Sequence, residues 1–134
     1  MRTWFYLSAC LCTLLLCSLR AGASLPGAAA YLDGHKAFSA GRHATAAGAF
    51  TESAVAGGPL APYAKIRAAI SRAAGGDKAG ARAALEEILK AEPGSWTPLA
   101  QYHLGLLMGR AGEIEAAAIL LNTALDAQAD LWWL

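Results

Sequence analysis

Apolar and small residues recur at helical spacing along this chain, between regularly placed glycines. Gly41, Gly76 and Gly112 are 35 and 36 residues apart. Each is followed five residues later by an alanine (Ala46, Ala81, Ala117) and nine residues later by a large apolar residue (Phe50, Leu85, Leu121). The next small or apolar position falls at Ser53, Ile88 and Ala124. This is a helix–turn–helix unit written three times. Such a unit cannot bury its apolar face alone, so neighbouring copies share a core; the pattern predicts an all-α protein, an α-solenoid of about three units with a concave surface. β-Branched residues are sparse and alanine dominates, which argues against strands.

The elements follow from local signals. Ser24, Leu25, Pro26 and Gly27 form a short extended lead. Helices are predicted over 28–40 and from Arg42 to about Ala56, with Gly41 in the left-handed position that ends a helix. Gly57, Gly58 and Pro59 close the first unit, about 28–59. The second, about 60–94, spans a helix from Leu60 to Ala74, a break at Gly75-Gly76, and a helix capped by Asp77 that continues to Ala91 before Pro93-Gly94. In the third, about 95–128, Thr97 is placed to cap a helix that carries Pro98 at its first position. The chain then turns at Gly112, and a last helix reaches about Gln128.

With those positions set, the chain resembles the tetratricopeptide repeat. In the second unit Gly76, Ala81, Leu85, Ile88 and Pro93 fall on the motif's turn glycine, packing alanine, two apolar positions and closing proline. In the first unit Gly34, Gly41, Ala46 and Phe50 match, and in the third Leu104, Gly105, Gly112, Ala117 and Ala124 do. The motif's early tryptophan is replaced by Ala30, Lys65 and Gln101, and its first-helix glycine by Ala69 in the second unit. The resemblance covers about 28–128. Residues 58–64, with the Ala-rich repeats and an exported leader, are also similar to the superhelical N-terminal region of soluble lytic murein transglycosylases. In that family the helical region guides peptidoglycan strands, and a separate lysozyme-like domain cleaves them.

The leader is itself a prediction. Arg2 precedes an apolar run of 16 residues from Trp4 to Leu19, and Ala21-Gly22-Ala23 supplies the small residues of a cleavage site. Residues 1–23 therefore read as a signal peptide cleaved before Ser24, and the protein as exported to the periplasm or the extracellular space. An uncleaved anchor would need about 20 apolar residues, and lipidation at Cys10 is disfavoured because the apolar run continues past it. Once the leader is removed, no integral span is expected.

All three cysteines, Cys10, Cys12 and Cys17, lie in the leader, so the mature chain holds no thiol for a disulfide, a metal or a nucleophile. Without Arg2 and Arg20, nine basic side chains face ten acidic ones with no run of either sign, which argues against nucleic acid as a partner. His35, His43 and His103 have no neighbours at metal-ligand spacing, and no cofactor is expected. Glu52-Ser53 and residues 105–108 echo short segments of the lysozyme-like domain, but a carboxylic acid on a wet helix face lacks the desolvated pocket that general acid catalysis needs. Residues 75–80 lack the Gly-Lys-Ser/Thr of a phosphate loop. The chain carries no catalytic constellation and reads as a non-enzyme.

What remains is surface. The resemblance implies that the first helix of each unit lines the concave face, at Tyr31, His35 and Phe38, at Tyr63, Ile66 and Ile70, and at Leu99, Tyr102 and Leu106. These positions equally suit packing between helices. The strip holds no lysine or arginine, which disfavours a carboxylate clamp. Trp132 and Trp133 form a second candidate docking site, since a solenoid end normally carries a polar cap. The reading is an exported scaffold that binds an envelope protein or peptide. The alternatives are the glycan-guiding part of a peptidoglycan lytic transglycosylase, and a small secreted assembly factor that oligomerises through its C-terminal end.

Overall fold

The computed structural model describes residues 24–91 and 93–129. The leader, Trp132 and Trp133 lie outside the described residues. Those that are described form six α-helices and no strand: α1 (Ala28–Ser39), α2 (His43–Val55), α3 (Ala61–Ala74), α4 (Lys78–Lys90), α5 (Thr97–Arg110) and α6 (Ile114–Ala129). Each helix packs on the next in chain order, and α3 also touches α5. None of the described helices is long and apolar enough to cross a membrane.

The three tight turns within the helix pairs are built alike. Gly41, Gly76 and Gly112 take φ of 72°, 93° and 90°. The amide after each glycine donates back to a carbonyl five residues upstream: Arg42 to Ala37 (2.9 Å), Asp77 to Arg72 (2.9 Å) and Glu113 to Met108 (3.0 Å). A left-handed residue closed by this long back-bond satisfies carbonyls that the helix end would leave orphaned. The next helix starts at once. At α4 its first turn is capped by Asp77, whose carboxylate accepts from the Gly80 amide at 2.9 Å. Thr97 behaves otherwise than expected: it does not cap α5, and its hydroxyl accepts from the Gly94 amide at 2.9 Å. That bond ties the preceding loop to the helix start, while Pro98 occupies the first turn, where no amide donor is missed.

Two apolar clusters hold the helices together. One gathers Phe50, Ala37, Ala46 and Ala68, with Tyr31 and Phe38 packed against it. The other joins Ile66, Ala69 and Leu85 of the middle pair to Ala100, Leu104, Met108 and Ala117 of the last pair. Alanine-rich faces let the helices approach closely, and glycine admits the closest crossings. A Cβ at Gly34 would stand 2.9 Å from the Phe50 ring, and one at Gly105 would stand 2.8 Å from Leu121 Cγ. Ala69 holds the corresponding place in α3 and is fully buried. Arg82 of α4 adds a surface link, its guanidinium bonded to Glu86 at 2.8 Å and to Glu113, just before α6, at 2.5 Å. Pairs this open to solvent are screened and add little to stability.

Candidate binding surface

The middle pair positions the surface because α3 has neighbours on several sides and each of its faces meets something different. Ile66 and Ala69 point into the second core cluster, and Ala64 is fully buried as well. Tyr63 begins an aromatic ladder: its ring lies 5.8 Å from that of Tyr31 on one side and stacks at 4.9 Å on Trp96 on the other. Tyr31 in turn meets Phe50 edge-on at 5.2 Å. These contacts run from the first helix pair through the second to the residue just before α5. Burial pushes the Tyr31 hydroxyl above the usual phenol range; its hydrogen bond with Tyr63 and that neighbour's charge push the same way, and the positive charge of Arg67 opposes them.

The predicted strip is therefore divided. Ile66 is 0% exposed and belongs to the core. Tyr31, Phe38, Tyr63, Ile70, Leu99 and Leu106 are partly buried, mostly by neighbouring side chains, while His35 stands exposed. Tyr102, 40% exposed, makes its ring contact with His103 at 5.3 Å. The strip is also not free of cations. The Arg67 guanidinium lies 4.9 Å over the Phe38 ring and 5.2 Å from that of Phe50, and its Nε is buried without a hydrogen-bond partner. A long side chain that lays its stem and planar head across aromatic faces can occupy a position that residue type alone would assign to solvent. His103 senses it. Burial first, and the Arg67 charge second, lower the imidazole below its ordinary value of 6.5.

A concavity lies on another side of α3, between α2 and α4. It is a groove of about 840 Å³ whose floor is largely alanine (Ala61, Ala68, Ala84) and whose walls include Val55, Ile88 and Trp96, with Lys65, Arg72 and Glu87 at its rim. Its size lies within the range of sites that enclose a drug-sized ligand or a short peptide segment. Two large apolar side chains are left in water there, Val55 at 83% exposure and Trp96 at 38%. Trp96 links the groove to the ladder, since one face of its ring is stacked on Tyr63. Neither Lys65 nor Arg72 has a carboxylate within 4.0 Å among the described residues.

Sequence reasoning passed over Arg67 and Trp96. Arg67 sits beside Ile66 in an otherwise apolar pattern, and Trp96 falls in a loop where helical periodicity gives no guidance. The one available signal for Trp96 was a tryptophan just ahead of a Thr-Pro helix start, a place where a ring can fold back over the preceding unit. Glu52 is exposed on α2, in keeping with a solvated carboxylate. No group of three His, Cys, Asp or Glu side chains able to hold a metal ion occurs among the described residues. No protein family matches this chain, and no curated protein does.

Proposed function

We propose that this protein is an exported, non-catalytic scaffold, an α-solenoid of three tetratricopeptide-like units that holds a peptide segment of another envelope protein. The observation that carries the reading is the groove between α2 and α4, where Val55 and Trp96 remain exposed over an alanine floor. Small residues at the base let a bound backbone approach closely, the two apolar side chains supply contact area, and Lys65, Arg72 and Glu87 at the rim give polar selectivity. Aromatic anchors of this type tend to dominate peptide affinity, and loss of one costs about 2 kcal/mol or more.

Panning displayed random peptides on the purified protein tests the proposal, with Val55→Asp as the counter-selection. Val55 is so exposed that its replacement leaves the fold within about 0.5 kcal/mol of the parent. Enriched peptides should bind at least about tenfold more weakly to V55D, and Trp96→Ala should weaken them further. Peptides that bind both forms equally would place recognition elsewhere.

A further inference from the structure

Arg67 is a cation without a counter-ion. Its guanidinium lies 4.9 Å over the Phe38 ring of α1 and 5.2 Å from the Phe50 ring of α2. Its Nε is buried with no hydrogen-bond partner, and no carboxylate approaches it within 4.0 Å among the described residues. Ring faces attract the charge, but they do not replace the oxygen acceptors that a guanidinium's N–H donors require. Arginine does not shed its proton to escape this, so the unmet donor costs free energy until an acceptor arrives. The neighbouring helices offer few. α3 and α5 hold no Asp or Glu, and the single acid of α1, Asp33, is exposed beside Lys36. Together α1, α3 and α5 bear five Lys or Arg against that one Asp, whereas α2, α4 and α6 bear three Lys or Arg against five Asp or Glu. The first helices of the pairs are thus net positive and the second helices net negative, a division that draws anions toward the first.

Around Arg67 the surface is aromatic and partly open. Tyr63 lies one turn from it on the same face of α3, its ring 5.8 Å from that of Tyr31. Tyr31, His35 and Phe38 share one face of α1, and His35 is exposed. From α5, His103 comes close enough to feel the Arg67 charge and stays neutral at pH 7. We propose that this patch binds an organic monocarboxylate, with the carboxylate on the Arg67 guanidinium and its apolar or aromatic body against Tyr31, Phe38 and Tyr63. One fixed cation matches one negative charge better than the two of a phosphate monoester. The planar fork of arginine fits the two oxygens of a carboxylate, and the rings supply contact area that a bare inorganic anion leaves unused. The site is separate from the groove between α2 and α4, whose lining includes Lys65 and Arg72 but not Arg67, so it stands whether or not that groove holds a peptide.

Titration of the protein as the cell produces it with phenylacetate tests the site, followed by NMR of the histidine ring protons, with His103 assigned through His103→Gln. A bound carboxylate offsets the Arg67 charge, so the His103 midpoint should rise saturably by about half a pH unit or more. Phenylacetamide, the same body without the charge, should leave it unchanged, and so should inorganic phosphate at equal concentration. Arg67→Met, which keeps a stem across the rings, should weaken phenylacetate binding about tenfold or more, and Arg67→Lys should recover only part of the loss. A blocked Phe-Glu dipeptide offers the same groups on a peptide: binding as tight as that of phenylacetate assigns the carboxylate to a protein, and binding of the free acid alone assigns it to a small metabolite. An unmoved His103 midpoint would overturn the proposal. So would an amide that binds as well as the acid, or phosphate that gives the same rise. These three comparisons use the parent protein and decide the matter even where Arg67→Met fails to fold.

Discussion

Replacing Gly34 by alanine tests the packing that sets the spacing of α1 and α2. In the interior of a helix the change from glycine to alanine is worth about 1 kcal/mol in favour of alanine. At Gly34 the new methyl would stand 2.9 to 3.1 Å from three atoms of the Phe50 ring. That ring is fully buried and boxed in by Tyr31 at 5.2 Å and by the Arg67 guanidinium at 5.2 Å. It cannot swing away, so an overpacking cost of about 1–3 kcal/mol should exceed the propensity gain, for a net loss of about 1 kcal/mol. Gly48 is the internal control: it sits in α2, exposed, with nothing within 4 Å of an added Cβ. Gly48→Ala should therefore stabilise by about 0.5–1 kcal/mol. Urea unfolding followed by circular dichroism should separate the two variants by about 2 kcal/mol, which corresponds to roughly 10 °C in thermal midpoint. Phe50→Leu should make room for the methyl, recreating the Ala69–Leu85 combination of the middle pair, so Gly34→Ala should cost nothing further in that background. If Gly34→Ala stabilises as much as Gly48→Ala does, the Phe50 ring is not held over Gly34 and this account of the helix crossing is wrong.

Two further outcomes follow from local chemistry. His103 titrates below its ordinary value of 6.5 in the folded state, so the unfolded chain binds the proton more readily. Its contribution is intact above that value and is lost as pH falls through it toward the folded value. The difference in stability between about pH 7.5 and pH 5 should accordingly shrink in His103→Gln, and equal differences in parent and variant would refute the assignment. Asp77→Ala removes the carboxylate that accepts from Gly80 at the start of α4 and should cost about 1 kcal/mol, with hydrogen exchange accelerated first in the opening turn of that helix; a neutral result would show that water caps the turn equally well.

Much of the fold was legible because the turn glycines are both sequence markers and geometric necessities. Gly41, Gly76 and Gly112 need positive φ, so their spacing announced where each helix ends, and the helix starts fall within about a residue of the expected places. Gly105 stood out only as a match to the repeat motif, and its missing side chain is what admits Leu121. The candidate surface was less legible. An apolar i, i+3, i+4 pattern marks a helix face that avoids water, but it does not say whether a neighbour or a ligand covers that face. In α3, which touches helices both before and after it, the distinction fails altogether: Ile66 and Tyr63 look alike in sequence, yet one is core and the other stacks beneath Trp96. Arg67 escaped notice because charge suggests solvent, whereas its guanidinium lies across two rings. Thr97 was misplaced because its hydroxyl has two local uses, capping α5 or closing the loop at Gly94, and only the backbone path decides between them.

The proposed role has the groove between α2 and α4 hold a segment of another envelope protein. It is tested most directly by site-specific photo-crosslinking in living cells, with a benzophenone side chain placed at Val55 or Glu87 in the groove and at the exposed Ala83 elsewhere on α4. Both groove positions should attach to one and the same short segment of a single partner, identified by mass, and Ala83 should not. Equal labelling from Ala83, or groove positions that capture no common segment, would contradict the account.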